Sequence, residues 1–311
     1  MSDDTSLTTR QIVAANLGFV VMTALWGAFF PAVERLLLRW DLLSVSTGRQ
    51  IVGAAVLLGT LAMIERRSPL RRRLPWGRVF VLGWIGITLG SLVTTAAIYF
   101  SSGIAAAIVS ASNPISSTLI AWLLQRVSLG RGLLIGTALS VVGGLVAVIG
   151  VTGGTEFHGG ELLIVVANVI WTWYSITTQR WLKGCSQLEI AGLTVFTGAI
   201  GLLLICGLGW TMGLLRFRLS FDVESVLLLL FAGAMPIALG NFLWLYGVAR
   251  VGIVVGSMYN NLIPVAAVLT GLTVGLLPST QQLVGGAIIV AGVLYSQIAA
   301  LRARRQPKAE G

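Results

Sequence analysis

Apolar runs of membrane-crossing length recur along the whole chain. A spanning helix needs about 20 predominantly apolar residues. Ten runs meet that requirement: 11–33, 42–64, 78–100, 102–124, 130–151, 159–181, 187–210, 225–248, 252–276 and 279–301. The connections are short, and no soluble insert separates them. Polar positions inside two of the runs sharpen the picture. In the fourth run, Ser110, Asn113 and Ser117 fall at i, i+3 and i+7, so they share one helix face. Pro114 removes a backbone donor there and frees a carbonyl one turn back. The ninth run repeats the device, with Ser257, Asn260 and Asn261 ahead of Pro264. In lipid such a break survives only where protein or a water-filled cavity satisfies the backbone. Packing of helices through small polar residues is the alternative use of these faces. Two interrupted runs in corresponding halves point to the binding site of a transporter.

The halves correspond in spacing as well. Trp26 and Pro114 are 88 residues apart, and Trp171 and Pro264 are 93 apart. Pro114 to Gly136 and Pro264 to Gly286 are both 22. Five segments per half is an odd number, so the halves enter the membrane with opposite orientation. The predicted fold is an all-α polytopic membrane protein. Its ten transmembrane helices form two inverted five-helix repeats, 11–151 and 159–301, around a central cavity, with tails at 1–10 and 302–311.

Composition agrees with a membrane protein. The 311 residues are 56% hydrophobic and 10% charged, and mean hydropathy is +0.91. A soluble surface needs far more charge. The net charge of +10 does not mark a nucleic-acid binder, because its placement follows membrane topology. Sixteen of the 21 Lys and Arg residues fall on one side of the predicted segments and four on the other, with Arg49 inside. The bias puts both termini in the cytoplasm of a bacterial-type inner membrane. The basic run 65–78 then faces anionic lipid. The N-terminus lacks a basic n-region, so the first run is expected to stay in the membrane. Cys185 and Cys206 are expected to form neither a disulfide nor a metal site.

Particular motifs carry a family resemblance. TALWGAFFPA lies in the first segment and Arg49 in the second, and YFSSGIAAAIVSASNPISSTLIAWLL crosses the third and fourth. LYGVARVGIVVGSMYNNLIPVAAVLTG and GGAIIVAGVLYSQ match the same pattern in the second half. Over about residues 11–301 the chain resembles the drug/metabolite transporter superfamily. Within it, the ten-helix members with two EamA domains, and the YddG-like amino-acid exporters, are the nearest in type. The resemblance implies export of small metabolites by alternating access. It departs where Gln125 and Arg126 replace the usual acidic residue after the fourth-helix motif.

The chemistry narrows the function further. All 11 acidic residues fall at segment ends, in loops or in tails, and the one His, His158, is in a loop. A proton-coupled exporter usually holds a buried carboxylate. Facilitated export is therefore favoured over a proton-coupled drug/metabolite antiporter, with Glu34 and Glu161 as the weak exceptions. Arg49 is the one ionisable residue well inside a segment. A residue at this position is common to the resembled family whatever the substrate, so the resemblance favours snorkelling, or bonding to helix-end carbonyls, over contact with a substrate carboxylate. Asn168, Trp171, Ser175 and Thr178 form a stripe on the sixth segment, with Trp171 too deep for an interfacial belt. A deep aromatic beside polar groups can hold an organic solute.

The candidate substrate contacts are Trp26, Thr95, Tyr99, Ser110, Asn113, Asn168, Trp171, Ser175, Trp244, Tyr259 and Asn260. Pro114 and Pro264 are candidate hinges. The neutral lining suits amino acids, aromatic and other apolar ones included. It suits phosphorylated solutes poorly, since no deep cluster of Lys or Arg is present. No catalytic set is visible, because an intramembrane hydrolase needs a base within reach of its nucleophile. An ion channel built by oligomeric symmetry fits an internal inverted repeat poorly. No cofactor or metal is expected. The expected partners are a small-molecule substrate and the lipid bilayer. Gly132, Gly136, Ser140 and Gly144 recur every four residues, a packing face within a monomer or a homodimer.

Overall fold

A computed structural model describes residues 9–65, 74–125, 131–149, 159–213, 217–273, 275 and 277–305. Among them the longer regular elements are all helices. They are α1 (Thr9–Leu37), α2 (Leu42–Glu65), α3 (Trp76–Phe100), α4 (Gly103–Ser110), α5 (Asn113–Gln125) and α6 (Arg131–Ile149). The second half holds α7 (Gly160–Trp181), α8 (Gln187–Thr211), α9 (Val223–Val251), α10 (Ile253–Tyr259), α11 (Ile263–Thr273) and α12 (Thr280–Arg305). Six of these, α1, α2, α3, α7, α8 and α9, are long and apolar enough to cross a membrane. The chain is thus an all-helical, multi-pass membrane protein. The sequence count of ten crossings has six full-length helices behind it here.

The predicted fourth and ninth runs are broken helices, and local chemistry explains each break. Between α4 and α5, the N–H groups of Ala111 and Ser112 bond three residues back, to the carbonyls of Ile108 and Val109. The hydroxyls of Ser110 and Ser112 donate to the carbonyls of Ala107 and Val109 at 2.7 Å. Small hydroxyl side chains thus serve carbonyls at the break, as a membrane interior requires. Between α10 and α11 the break is a 3₁₀ turn, Asn260–Leu262, ahead of Pro264. The Thr23 hydroxyl of α1 reaches across to the Tyr259 carbonyl at 3.2 Å.

A further irregularity was not expected from the sequence. Both α3 and α9 contain an eight-residue π stretch, Leu82–Leu89 and Gly233–Gly240. Pro236 lies inside the second, and its missing N–H loosens the ordinary ladder. The Pro236 carbonyl accepts the Trp26 indole N–H at 3.1 Å.

Small residues let the helices approach closely, the main route to packing where lipid supplies no hydrophobic drive. A Cβ on Gly27 would stand 2.3 Å from that of Ala266, so α1 and α11 meet almost backbone to backbone. A Cβ on Gly53 of α2 would collide with Ile237 and the Gly233 carbonyl of α9. A Cβ on Gly198 of α8 would collide with Ile87 and the Gly83 carbonyl of α3. The packing repeats itself, with α2 on α9 matching α8 on α3. Helices α6 and α12 lie along each other. Of the predicted small-residue face, Gly136 is buried and Gly132 half-buried, while the Ser140 and Gly144 side chains lie outside the described residues.

The end of the bundle where α1 finishes is tied by charge. Arg39 pairs with Asp222 and Glu224, and Arg35 with Glu224 at 2.8 Å. The Asp222 carboxylate also caps α9 by accepting the Ser225 N–H.

Candidate functional site

The helices line a partly open cavity of about 160 Å³. A dry cavity near 150 Å³ accepts a molecule the size of benzene. Its walls come from α1, α2, α3, α4, α5, α7, α8, α9, the 3₁₀ turn and α11. Among the described residues, α6 and α12 contribute nothing to it. Phe29, Phe30, Ile87, Ile164, Ile237 and Ile263 make it largely apolar. Trp26 and Trp171 face it together, their rings edge-on with centroids 5.3 Å apart.

Polar atoms interrupt this apolar wall, and many have no partner in the protein. Among the described residues, Arg49 Nε, Gln50 Oε1, Trp171 Nε1, Asn241 Oδ1 and Asn260 Oδ1 are buried without a hydrogen bond, and all five side chains line the cavity. Buried polar groups are normally satisfied, and leaving one unpaired costs about 1–3 kcal/mol. Orphaned donors and acceptors around one apolar cavity are the mark of a site whose partner arrives in solution. The guanidinium of Arg49 is oriented from its other side. Nη2 donates to the Ser91 hydroxyl at 2.8 Å, the Ser91 carbonyl at 3.2 Å and the Thr95 hydroxyl at 2.9 Å.

Of the residues expected at a site, Trp26, Ser110, Asn113, Asn168, Trp171 and Asn260 line the cavity. Asn113 and Asn168 also hold two helices together, since the Asn113 amide donates to the Asn168 carbonyl oxygen at 3.4 Å. Asn113 further accepts the Ser117 hydroxyl at 2.8 Å. Both uses considered for this polar face, pathway lining and helix packing, are therefore present at once.

The structure sets five expected contacts apart from the lining. Thr95 is fully buried and spent on Arg49 and on the Ser46 hydroxyl at 2.9 Å. Tyr99 is 55% exposed beside Phe100. At about 100° per residue, the eight residues from Ser91 to Tyr99 turn that position some 80° off the cavity face. Ser175 and Trp244 stand behind the wall. The Trp244 indole is 0% exposed and donates to the Ser175 hydroxyl at 2.8 Å. Tyr259 stacks on Phe19 at 5.2 Å and donates its hydroxyl to Asn16 at 2.8 Å. Phe19, Trp244 and Tyr259 form an aromatic plug toward the Thr9 end of the bundle, continuous with Trp26 through Trp244 at 5.5 Å. Of the expected hinges, Pro264 is buried at the start of α11, and Pro114 opens α5.

Sequence reasoning left out the contribution of α2. Arg49 and Gln50 reach the cavity side by side, joined by Ser91 and Thr94 of α3. The one available signal was Arg49 itself, an ionisable group deep in an apolar run.

A bundle of membrane-length helices around a small cavity with a broken helix on either side defines a membrane transporter. A profile of the EamA-like transporter family matches residues 13–149 and again 158–297, and the chain belongs to that family. It is 25% identical over 304 residues to a protein of Streptantibioticus cattleyicolor named "Probable terminal-alkyne amino-acid exporter", covering 97% of this chain and 99% of that one. It is 24% identical over 286 residues to "Uncharacterized transporter YyaM" of Bacillus subtilis (strain 168), covering 89% and 90%. A solved crystal structure at 22% identity superposes with a TM-score of 0.70, over 94% of this chain and 99% of that one, and shows the same fold.

Proposed function

We propose that the chain exports small zwitterionic metabolites, amino acids with aromatic or other apolar side chains in particular, by alternating access. The observation that carries this reading is the cavity itself: a benzene-sized, largely apolar space beside a pair of indoles, with five unpartnered polar atoms on side chains of its wall. The relative named as an amino-acid exporter supports it. In this reading the two halves are inverted repeats that rock about the cavity, with both termini in the cytoplasm. The breaks before Pro114 and Pro264 let α4–α5 and α10–α11 bend as they do so. Transport is facilitated and follows the substrate gradient. The test is efflux of phenylalanine, leucine and glutamate from proteoliposomes holding the purified chain. Phenylalanine should leave down its gradient without a pH difference, and no protein-dependent flux of any of them would refute the reading.

One observation favours proton coupling as a second reading. Glu161 is 5% exposed, and neither of its carboxylate oxygens has a partner among the described residues. Such a group is a natural proton carrier. If a pH gradient alone concentrates phenylalanine, and Glu161→Gln abolishes that effect while leaving downhill flux intact, the antiport reading replaces facilitated export.

A further inference from the structure

The cavity has one charged pole, and among the described residues no carboxylate pairs with it. Arg49 is 2% exposed and faces the cavity from α2. Its recorded partners are neutral: the hydroxyl and carbonyl oxygens of Ser91 and Thr95, and the Phe29 ring 4.7 Å from the guanidinium carbon. Among the described residues the ion pairs are those of Arg35 and Arg39 with Asp222 and Glu224, and none involves Arg49. A guanidinium stays protonated in a protein, and a buried cation without a counter-ion is costly. Such a group beside a cavity is a site for an anion.

Arg49 ties α2 to α3 through Ser91 and Thr95, and the repeat in the packing shows how the other half makes a tie at the equivalent position without a charge. Gly53 on α2 and Gly198 on α8 make matching close approaches 145 residues apart, and the Ile237 and Ile87 they meet are 150 apart. The first spacing also relates Trp26 to Trp171, the two indoles of the cavity. Applied to Arg49, it gives Thr194. Thr194 ties α8 to its neighbour through a hydrogen bond with the Tyr174 hydroxyl at 2.7 Å, with no charge at all. The same spacing sets Gln50, with its free amide oxygen, against the apolar Val195. The cavity thus draws indoles, isoleucines and uncharged polar groups from both halves, and its one charged side chain from the first half alone. Its donors without partners are Arg49 Nε and Trp171 Nε1, and its acceptors without partners are amide oxygens. The donors suit a carboxylate and the oxygens suit an ammonium group, with an apolar side chain packed against the indoles.

We propose that Arg49 is the carboxylate anchor of this cavity, so that the protein carries only solutes with a free carboxylate. The proposal rests on the export reading above and narrows it from zwitterions in general to a required group. Three probes of similar size separate the terms: phenylalanine, phenethylamine (ammonium alone) and phenylpropionate (carboxylate alone). Thermal stabilisation of the purified full chain reports binding, and proteoliposome efflux reports transport.

The expected result is that phenylalanine and phenylpropionate stabilise the wild-type protein and phenethylamine does not. Arg49→Gln should raise the apparent Kd for phenylalanine by about 10–100-fold, the range for hydrogen bonds to a charged group. Arg49→Lys should fall between, because it restores the charge without the planar fork. Equal binding of phenethylamine and phenylalanine to the wild type overturns the anchor while leaving amino-acid export standing. So does an Arg49→Gln variant with unchanged affinity. Should that variant not fold, the wild-type comparison of phenylpropionate with phenethylamine decides the matter alone. Arg49-dependent binding of phenylpropionate without phenylalanine flux would overturn the export reading and uphold the anchor. No binding of either carboxylate would overturn the anchor.

Discussion

Trp171 and Trp244 are neighbours with ring centroids 6.1 Å apart, yet the structure gives them opposite roles. Replacing each by Phe separates these roles. The Trp244 indole is fully buried and its N–H donates to Ser175 at 2.8 Å. Trp244→Phe removes that bond, leaves the hydroxyl without its donor and opens space where the five-membered ring lay. Together these should cost about 1–3 kcal/mol. The Trp171 indole N–H is buried and has no partner among the described residues. Trp171→Phe breaks no recorded hydrogen bond of that N–H and removes a desolvated donor, so stability should change by less than about 1 kcal/mol. If the free N–H serves a substrate carboxylate, however, the same change forfeits about 1.5–3 kcal/mol of binding, on the order of 10–100-fold in affinity. Melting of each variant in detergent, at about 2–4 °C per kcal/mol, should show loss for Trp244→Phe and near-constancy for Trp171→Phe. Proteoliposome flux should show the reverse order of effect on the apparent KM for phenylalanine. If Trp171→Phe melts as low as Trp244→Phe and keeps its wild-type KM, the indole is wall and the assignment of its N–H to substrate is refuted.

Further expectations follow from the packing. Gly27→Ala places a methyl 2.3 Å from Ala266 and 2.9 Å from the Ala267 backbone nitrogen, so melting should reveal a loss of about 1–3 kcal/mol from overpacking. Hydrogen bonds from Ser225 and Ser220, together with the nearby Arg39, hold the Asp222 carboxyl well below the usual range. Its contribution is present above its unfolded pKa of about 4 and is lost only as pH falls through the lower folded value. Asp222→Ala should therefore lower the melting temperature by the same amount at pH 5 and pH 8, and a difference between them would contradict the pairing. Pro114→Ala and Pro264→Ala restore backbone donors at the breaks, and should slow phenylalanine efflux while leaving its Kd within about twofold. Equal loss in both readouts would make the prolines structural supports.

Much of this architecture could be read from the chain because membrane helices announce themselves by apolar length. The breaks before Pro114 and Pro264 were legible for the same reason, as a proline and several amides stand out against an apolar run. Rotation was harder to read. Tyr99 and Thr95 look equivalent by spacing, yet one reaches the surface and the other is buried. The π stretches in α3 and α9 shift the faces that follow them, and only the one in α9 contains a proline. Trp244 looked like a solute contact because sequence shows an indole but not the hydroxyl of Ser175, 69 residues away, that takes its N–H. Arg49 was visible as an oddity. A residue at this position is common to the resembled family whatever the substrate, so the sequence favoured a structural use for it; that its recorded partners are all neutral is a property of three-dimensional neighbours.

If substrate passes through this cavity, filling the cavity must stop transport. Ala167 lines the wall between Ile164 and Asn168 and is almost fully buried. An indole at that position would occupy much of the space of about 160 Å³. Efflux of phenylalanine should be measured for Ala167→Trp, reconstituted at the wild-type level after size-exclusion chromatography confirms a folded protein. The account predicts that flux falls to that of protein-free liposomes. Efflux at the wild-type rate from the folded variant would contradict it and place the pathway elsewhere in the bundle.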